Sequence, residues 1–329
     1  MSGYNLRFAK RNCPDMKIYL APMEGVVDFH MRNILTAVGG YDYCVTEFVR
    51  VVDRLLPSRV FKRICPELEH GGLTASGTPV IVQILGSDIN AMADNARHIA
   101  KLGAPGIDIN FGCPSKCVNK NDGGAILLKN PHRLYDIVRA VREGVAEAVP
   151  VSAKIRLGFD DTDLALENAL AVAEAGASFI TVHARTRKDG YKAPARWEWL
   201  ARINQALDIP VVANGDINSV EDYQRCIDIS ACEQIMIGRG AIARPDLARQ
   251  IVSHQHGLEI SELDWAEVKE MLAGMAIELQ DHIKDRYILP RIKQWLVHLK
   301  RQYDEAHRCF ESVRLMRSYA EFEQLLKNS

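Results

Sequence analysis

A (β/α)8 TIM barrel followed by a C-terminal helical domain is the fold class that this 329-residue sequence predicts. Eight short β-branched apolar runs alternate with amphipathic stretches of helical period, the pattern of strand and crossover helix. Each run is also followed at once by a polar or glycine-bearing segment, and a barrel carries its active site at those C-terminal strand ends. A doubly wound open sheet fits the alternation too, but it would gather its ligand contacts near one switch point.

The strands are expected at Lys17–Ala21, Tyr43–Phe48, Pro79–Leu85, Gly106–Asn110, Val149–Arg156, Ser178–His183, Ile209–Ala213 and Gln234–Ile237. Connecting helices include Asn90–Leu102, Pro131–Ala148, Thr162–Ala175 and Val220–Ile229. Behind the strands stand Pro22-Met23-Glu24, Glu47-Phe48, Gln83, Asn110-Phe111-Gly112-Cys113-Pro114, Lys154-Ile155-Arg156, His183-Ala184-Arg185, Asn214-Gly215-Asp216 and Gly238-Arg239-Gly240. After Pro245 the strand pattern stops. Trp265–Lys284, Pro290–Asp304 and Ser312–Leu326 have helical periodicity, with Pro290 suited to a first turn. The chain therefore divides into a polar extension over 1–16, a barrel over 17–245 and a helical domain over 246–329.

Composition narrows the function classes. With 47% hydrophobic and 25% charged residues the chain is ordinary globular material. It has no apolar run of membrane-spanning length and no signal-peptide h-region, so a cytoplasmic protein without membrane attachment is expected. Eight scattered cysteines suggest free thiols in a reducing compartment. A net charge of −1 restricts any nucleic-acid surface to a local patch. Lys284–Gln302 is such a patch, with Lys284, Arg286, Arg291, Lys293, Lys300 and Arg301 against Asp285 alone, a formal charge of +5. Ile292, Trp295, Leu296 and Leu299 mark its buried face, which leaves Arg291, Lys293 and His298 toward the exposed side. A solvated helix face is the competing reading.

Gly112 and Pro114 fix a tight turn that holds the Cys113 thiol at the barrel mouth, although a free cysteine is often just a small buried hydrophobe. Cys117, four residues on, lacks the spacing of a zinc or cluster ligand, and no metal site is expected. Asp122-Gly123-Gly124 reads equally as the hinge of a lid or as a plain left-handed turn. Asn214-Gly215-Asp216 and Gly238-Arg239-Gly240 follow the seventh and eighth strands, where barrels often cradle a phosphate, so a phosphorylated cofactor is expected. Lys154 and Arg156 share one face of the fifth strand and point into the mouth. A buried lysine needs a partner, either an anionic ligand or a carboxylate of the chain itself.

These residues resemble the tRNA-dihydrouridine synthase family across about residues 17 to 320. The motifs that carry the resemblance are Ala21-Pro22-Met23-Glu24-Gly25, Thr46-Glu47-Phe48, Val82-Gln83-Ile84-Leu85-Gly86, Asn110-x-Gly112-Cys113-Pro114, Lys154-x-Arg156, His183-x-Arg185-Thr186, Asn214-Gly215-Asp216 and Gly238-Arg239-Gly240. Val49-Arg50-Val51-Val52-Asp53, Arg63-Ile64-Cys65-Pro66-Glu67-Leu68 and Arg291-Ile292-Lys293-Gln294-Trp295-Leu296 further resemble the bacterial branch that modifies uridine 16 in the D-loop. Phe111 and Cys117 depart from the residues usual there.

The resemblance implies an FMN-dependent enzyme that reduces the C5–C6 bond of a uridine in tRNA with NADPH or NADH, acting as a monomer. It implies that Pro22, Met23, Glu24, Gln83, Lys154, His183, Asn214, Gly215, Asp216, Gly238 and Arg239 hold FMN. It implies Cys113 as the proton donor to C5, and tRNA contacts at Arg50, Asn110, Tyr191, Arg291, Lys293, His298 and Arg314. A general acid must keep its proton until transfer, so a strongly depressed thiol pKa would be counterproductive. No dinucleotide fingerprint is present, so the nicotinamide visits transiently. The rivals are an FMN barrel acting on a free pyrimidine and a catalytically silent tRNA-binding protein.

Overall fold

The structure, a computed structural model, describes residues 16–328. All but the last residue of the extension expected over 1–16 lies outside the described residues. The strands are β1 Lys17–Leu20, β2 Tyr43–Val45, β3 Val49–Arg50, β4 Val80–Leu85, β5 Ile107–Asn110, β6 Val151–Arg156, β7 Phe179–His183, β8 Val211–Asn214 and β9 Gln234–Ile237. All pairings among them are parallel. β1 pairs with β2 and β9, and β2 with β4, so eight strands close into a TIM barrel. β3 adds two residues against the end of β4, Val49 opposite Ile84 and Arg50 opposite Leu85.

The expected strand Tyr43–Phe48 thus breaks after Val45. Thr46 still donates its N–H to Ile81 O, but its hydroxyl caps the Gln83 N–H at 3.0 Å, and the chain turns so that Glu47 and Phe48 face the barrel mouth. The other strands fall within a residue or two of expectation.

Alternate side chains on each strand point to opposite faces of the sheet. One set, with Ile18, Leu20, Ile84, Ile109, Ile155, Val182 and Ile237, joins the helices in a continuous core. Each Ile or Leu so buried contributes roughly 1.5–3 kcal/mol. The other set fills the barrel axis. Tyr19, Val45, Ile81, Phe179, Val212 and Met236 form a separate apolar cluster there, with the Tyr19 and Tyr43 rings stacked at 5.2 Å. Toward the C-terminal strand ends the same inward positions become polar: Ile81 gives way to Gln83, Val212 to Asn214, and Phe179 to Thr181 and His183. Period-two alternation therefore builds a dry floor and a polar mouth from the same strands.

Beyond β9 the structure is helical. Leu247–Gln255 packs against the barrel helix Val220–Ser230. Trp265–His282 begins with a capping box between Asp264 and Glu267, and Ile288–Leu299 carries Pro290 in its first turn. Ile292, Trp295, Leu296 and Leu299 are buried, as their periodicity implies. The Trp295 Nε1–H donates to Ile242 O at 3.0 Å and docks this helix beside the barrel mouth.

The expected helix Ser312–Leu326 begins only at Tyr319, as Tyr319–Asn328, and it is preceded by Asp304–Val313, a helix not expected from the sequence; the expected Pro290–Asp304 ends at Leu299. Lys293 Nζ donates to the carbonyls of Arg314 and Met316, at 3.0 and 2.8 Å, which a continuous helix would need for itself. The break has a sequence signature: Ser318 and Glu321 have the spacing of a capping box and hydrogen-bond at 2.8 Å. Among the described residues no helix is long and apolar enough to cross a membrane.

Candidate active site at the barrel mouth

A cavity of about 400 Å³ opens at the C-terminal strand ends. Fifteen of the residues singled out from the sequence line it: Pro22, Met23, Glu24, Gln83, Asn110, Cys113, Lys154, His183, Tyr191, Asn214, Gly215, Asp216, Gly238, Arg239 and His298. Glu47, Arg156 and Arg185, strand-end residues without a role assigned from the sequence, line it as well. Their position at the ends of β2, β6 and β7 is the signal that placed them in the sequence analysis.

Arg50, Arg291, Lys293 and Arg314 are not among the lining residues. Arg291 donates to Gly25 O at 2.9 Å and to Asp28 Oδ2 at 2.6 Å, Lys293 holds the turn after Val313, and Arg314 pairs with Glu311 at 2.9 Å.

The Cys113 loop is held from several directions. Asn110 Oδ1 accepts the N–H groups of Gly112 and Cys113, each at 2.9 Å, while Asn110 Nδ2 donates to Gln83 Oε1 at 2.8 Å. Gln83 Nε2 donates in turn to the buried carboxylate of Asp108 at 2.7 Å, which also accepts from Ser152 at 2.6 Å. Arg156 Nε donates to Gly112 O at 2.8 Å. The Asp122-Gly123-Gly124 stretch takes the second of its two readings. It is a turn, with Gly124 at φ +66° close against Cys113 O, and Ala125 N–H bonds that same oxygen at 3.1 Å. A side chain on Gly124 would strike the loop.

Burial pushes the Cys113 thiol up, and the Glu24 carboxylate adds to that against the opposing Ser115 N–H and Arg156. The thiol therefore keeps its proton, as a general acid requires. Cys117 is exposed on the short helix Lys116–Lys120 and does not line the cavity.

Across β6 to β9 the wall is cationic. Lys154 Nζ donates to Asn214 Oδ1 at 2.9 Å, and among the described residues no carboxylate lies within ion-pair distance of it. Burial, then the neighbouring Arg156, lower its pKa to about 7, with Asp108 opposing. His183 is held well below its usual value by burial and by Arg156, Lys154, Arg185 and Arg239. Arg185 Nη1, which can only donate, lies 3.3 Å from His183 Nε2 and so places the imidazole proton on Nδ1. Burial alone would raise Asp216, but the Arg185 hydrogen bond, the Ala195 N–H and Arg239 bring it below the usual range. Gly215 sits at φ +125°, and a Cβ on Gly240 would lie 2.2 Å from Ile217 O, so both loops require glycine. Tyr191, 56% exposed, lies with its ring 5.2 Å from the Arg156 guanidinium and 5.3 Å from that of Arg239.

On the β1 and β2 side, burial and mutual repulsion raise Glu24, and burial raises Glu47 despite its hydrogen bond from Gly25 N–H. The cavity is thus polarised: one wall sets Lys154, Arg156, Arg185 and Arg239 against the carboxylate of Asp216, an excess of positive charge that suits an anionic ligand, and on the other the pKa values of Glu24 and Glu47 are raised.

Fold and site together define a barrel enzyme whose cavity joins an anion-receptive wall to a protonated thiol. Residues 19–328 match the family model described as dihydrouridine synthase (Dus). The chain is similar to a tRNA-dihydrouridine(16) synthase of Aquipseudomonas alcaligenes, 49% identical over 94% of this chain and 99% of that one. It is also similar to the enzyme of that name from Shewanella oneidensis, 48% identical over 95% and 98%. Among solved structures, a 2-naphthoyl-CoA reductase complex superposes with a TM-score of 0.56 at 13% identity, over 72% of this chain and 50% of that one, a likeness of fold alone. The chain belongs to the dihydrouridine synthase family.

Proposed function

We propose that this protein is an FMN-dependent tRNA-dihydrouridine synthase that reduces uridine 16 of the D-loop with NADPH or NADH. The observation that carries the chemistry is the pairing, in one cavity, of a proton-bearing Cys113 thiol with a half-buried Lys154 that has no carboxylate partner among the described residues. The choice of uridine 16 rests on the relatives, whose names specify that position.

The residues fit the flavin. Lys154 and Asn214 offer a cation and an amide to the anionic edge of the ring, and the Gly215 and Gly240 turns with Arg239 leave room and charge for a phosphate. Pro22, Met23, Glu24, Gln83, His183, Asp216 and Gly238 complete the contacts. The chemistry FMN supplies when bound is hydride transfer to C6 of the uracil, drawn from the nicotinamide. Cys113 Sγ–H then gives its proton to C5, and Arg156 beside it steadies the resulting thiolate. Asn110 orients the cysteine loop and offers its amide to the base.

The uridine leaves its stack at a cost of a few kcal/mol, small for a loop nucleotide. Tyr191 gives the extruded strand an exposed ring to stack on. Arg50 and His298 contact the tRNA directly in this reading, while Arg291, Lys293 and Arg314 frame the surface on which it lies. The protein works in the cytoplasm, a reading that its seven free thiols among the described residues support, and as a monomer.

The test is to incubate the purified protein with unmodified tRNA and NADPH and map dihydrouridine by position. Product at position 16 is expected, with FMN released on denaturation. Product confined to another position would refute the target, and absence of flavin would refute the chemistry.

A further inference from the structure

A cluster of metal-ligating side chains lies apart from the cavity, where the C-terminal helices meet the barrel. His30 stands on the helix Phe29–Val38 after β1. Glu278 and His282 stand four residues apart on Trp265–His282, one above the other on the face turned toward His30. His30 Nδ1 lies 2.8 Å from Glu278 Oε1, and the His30 and His282 rings are 5.0 Å apart. One ligand atom from each residue falls within 4.8 Å of the other two. His30 is 9% exposed, Glu278 is half-buried and His282 is exposed, so the cluster is walled by protein on one side and open to water on the other.

The geometry points to a zinc-class divalent metal site formed by His30, Glu278 and His282. Two imidazoles and a carboxylate with an open position are the donor set of three-ligand zinc sites. Ligand atoms around a tetrahedral zinc lie about 3.4 Å apart, within reach of small rotamer adjustments here. Magnesium and calcium, which want oxygen ligands, are disfavoured by the two imidazoles. The site takes no part in the chemistry at the barrel mouth and does not depend on how that cavity is read. A bound ion ties a barrel helix to the first long C-terminal helix. His30 also lines a second cavity with Asp28 and Arg291, so the ion would fix the pose of Ile288–Leu299 over the barrel.

The experiment is calorimetric titration of zinc into tag-free, flavin-loaded protein carrying Cys117→Ser, which removes the exposed thiol as a competing ligand. One equivalent is expected to bind. His282→Ala, at an exposed position that tolerates the change, and Glu278→Gln should each weaken binding at least tenfold. Zinc at a hundredfold excess over its Kd should raise Tm on the order of 5 °C, and both variants should lose that increment. The inference is overturned if no saturable binding occurs at millimolar zinc, if binding is undiminished in His282→Ala, or if magnesium binds equally well.

Discussion

On the β6 to β9 side of the cavity, Lys154, Arg156, Arg185 and Arg239 surround a neutral His183, whereas Glu24 and Glu47 lie behind β1 and β2, and Cys113, behind β5, feels both Glu24 and Arg156. Both walls bury ionisable groups, but the outcomes differ. The cationic wall has Asp216 as its one strongly engaged acid, tied to Arg185, and leaves Lys154 bonded to an amide. On the other wall burial raises the pKa values of Glu24 and Glu47. The first wall has an excess of positive charge that an anion would offset, and Cys113 beside the second has a proton to give. A natural sequence tolerates such imbalance where a ligand later corrects it, which is why the proposed function puts the flavin against the first wall and the proton donor at Cys113.

The largest expected effect breaks the second wall. Cys113→Ala removes the proton to C5 and nothing from the cationic wall, so dihydrouridine formation should fall by about 10²- to 10⁴-fold while flavin content holds. Cys117→Ala should retain full activity. Single-turnover formation of dihydrouridine under saturating NADPH measures both, and reversed phenotypes would misplace the donor.

A smaller effect breaks the first wall. Lys154→Met removes the cation that the anionic ligand needs, and FMN should bind about 10- to 100-fold more weakly, the range of a charge-assisted hydrogen bond. The sign with pH follows from the lowered pKa. Free of ligand, Lys154 loses its proton near pH 7, whereas an anion beside it holds the proton on, so binding takes up a proton above that pH. Flavin affinity should therefore fall as pH rises from 7 to 9, and Lys154→Met should flatten that fall. Fluorescence titration of the apoprotein with FMN reads it, and equal pH profiles for both proteins would exclude the lysine.

The barrel and most of the cavity were legible because period two and the strand-end rule are local properties of the chain. Asn214 ends its strand, Cys113 follows one, and Gln83 and Lys154 stand two residues before the ends of theirs, so closure of the sheet brings all four to one mouth. The tertiary hydrogen bonds were not legible. Nothing local says that Asp108 orients Gln83, that Lys293 holds the turn between Val313 and Tyr319, or that His30 meets Glu278 across 248 residues. The break at 314–318 was half legible, since the spacing of Ser318 and Glu321 is a helix start that lay inside an otherwise periodic run.

The smallest expected effect carries the comparison from the cavity to the surface, by asking whether a cation with internal partners acts as a contact or as a brace. Arg291 is engaged by Gly25 O, Gln294 and Asp28, with its side chain 17% exposed, whereas Arg50 lies at the end of β3 and is half-buried. Arg291→Gln should cost about 1–3 kcal/mol of stability, because it leaves Asp28 without its strongest donor and loosens Ile288–Leu299 over the barrel. A brace releases no counterions when tRNA binds. The slope of log K against log salt should then be unchanged in Arg291→Gln even as affinity drops. In Arg50→Gln the slope should shrink by about 0.7 to 0.9, the loss of one phosphate contact. Filter-binding isotherms at four salt concentrations, alongside Tm for each variant, separate the two roles. A flattened slope with unchanged Tm in Arg291→Gln would make it a direct tRNA contact that lets go of Asp28 on binding.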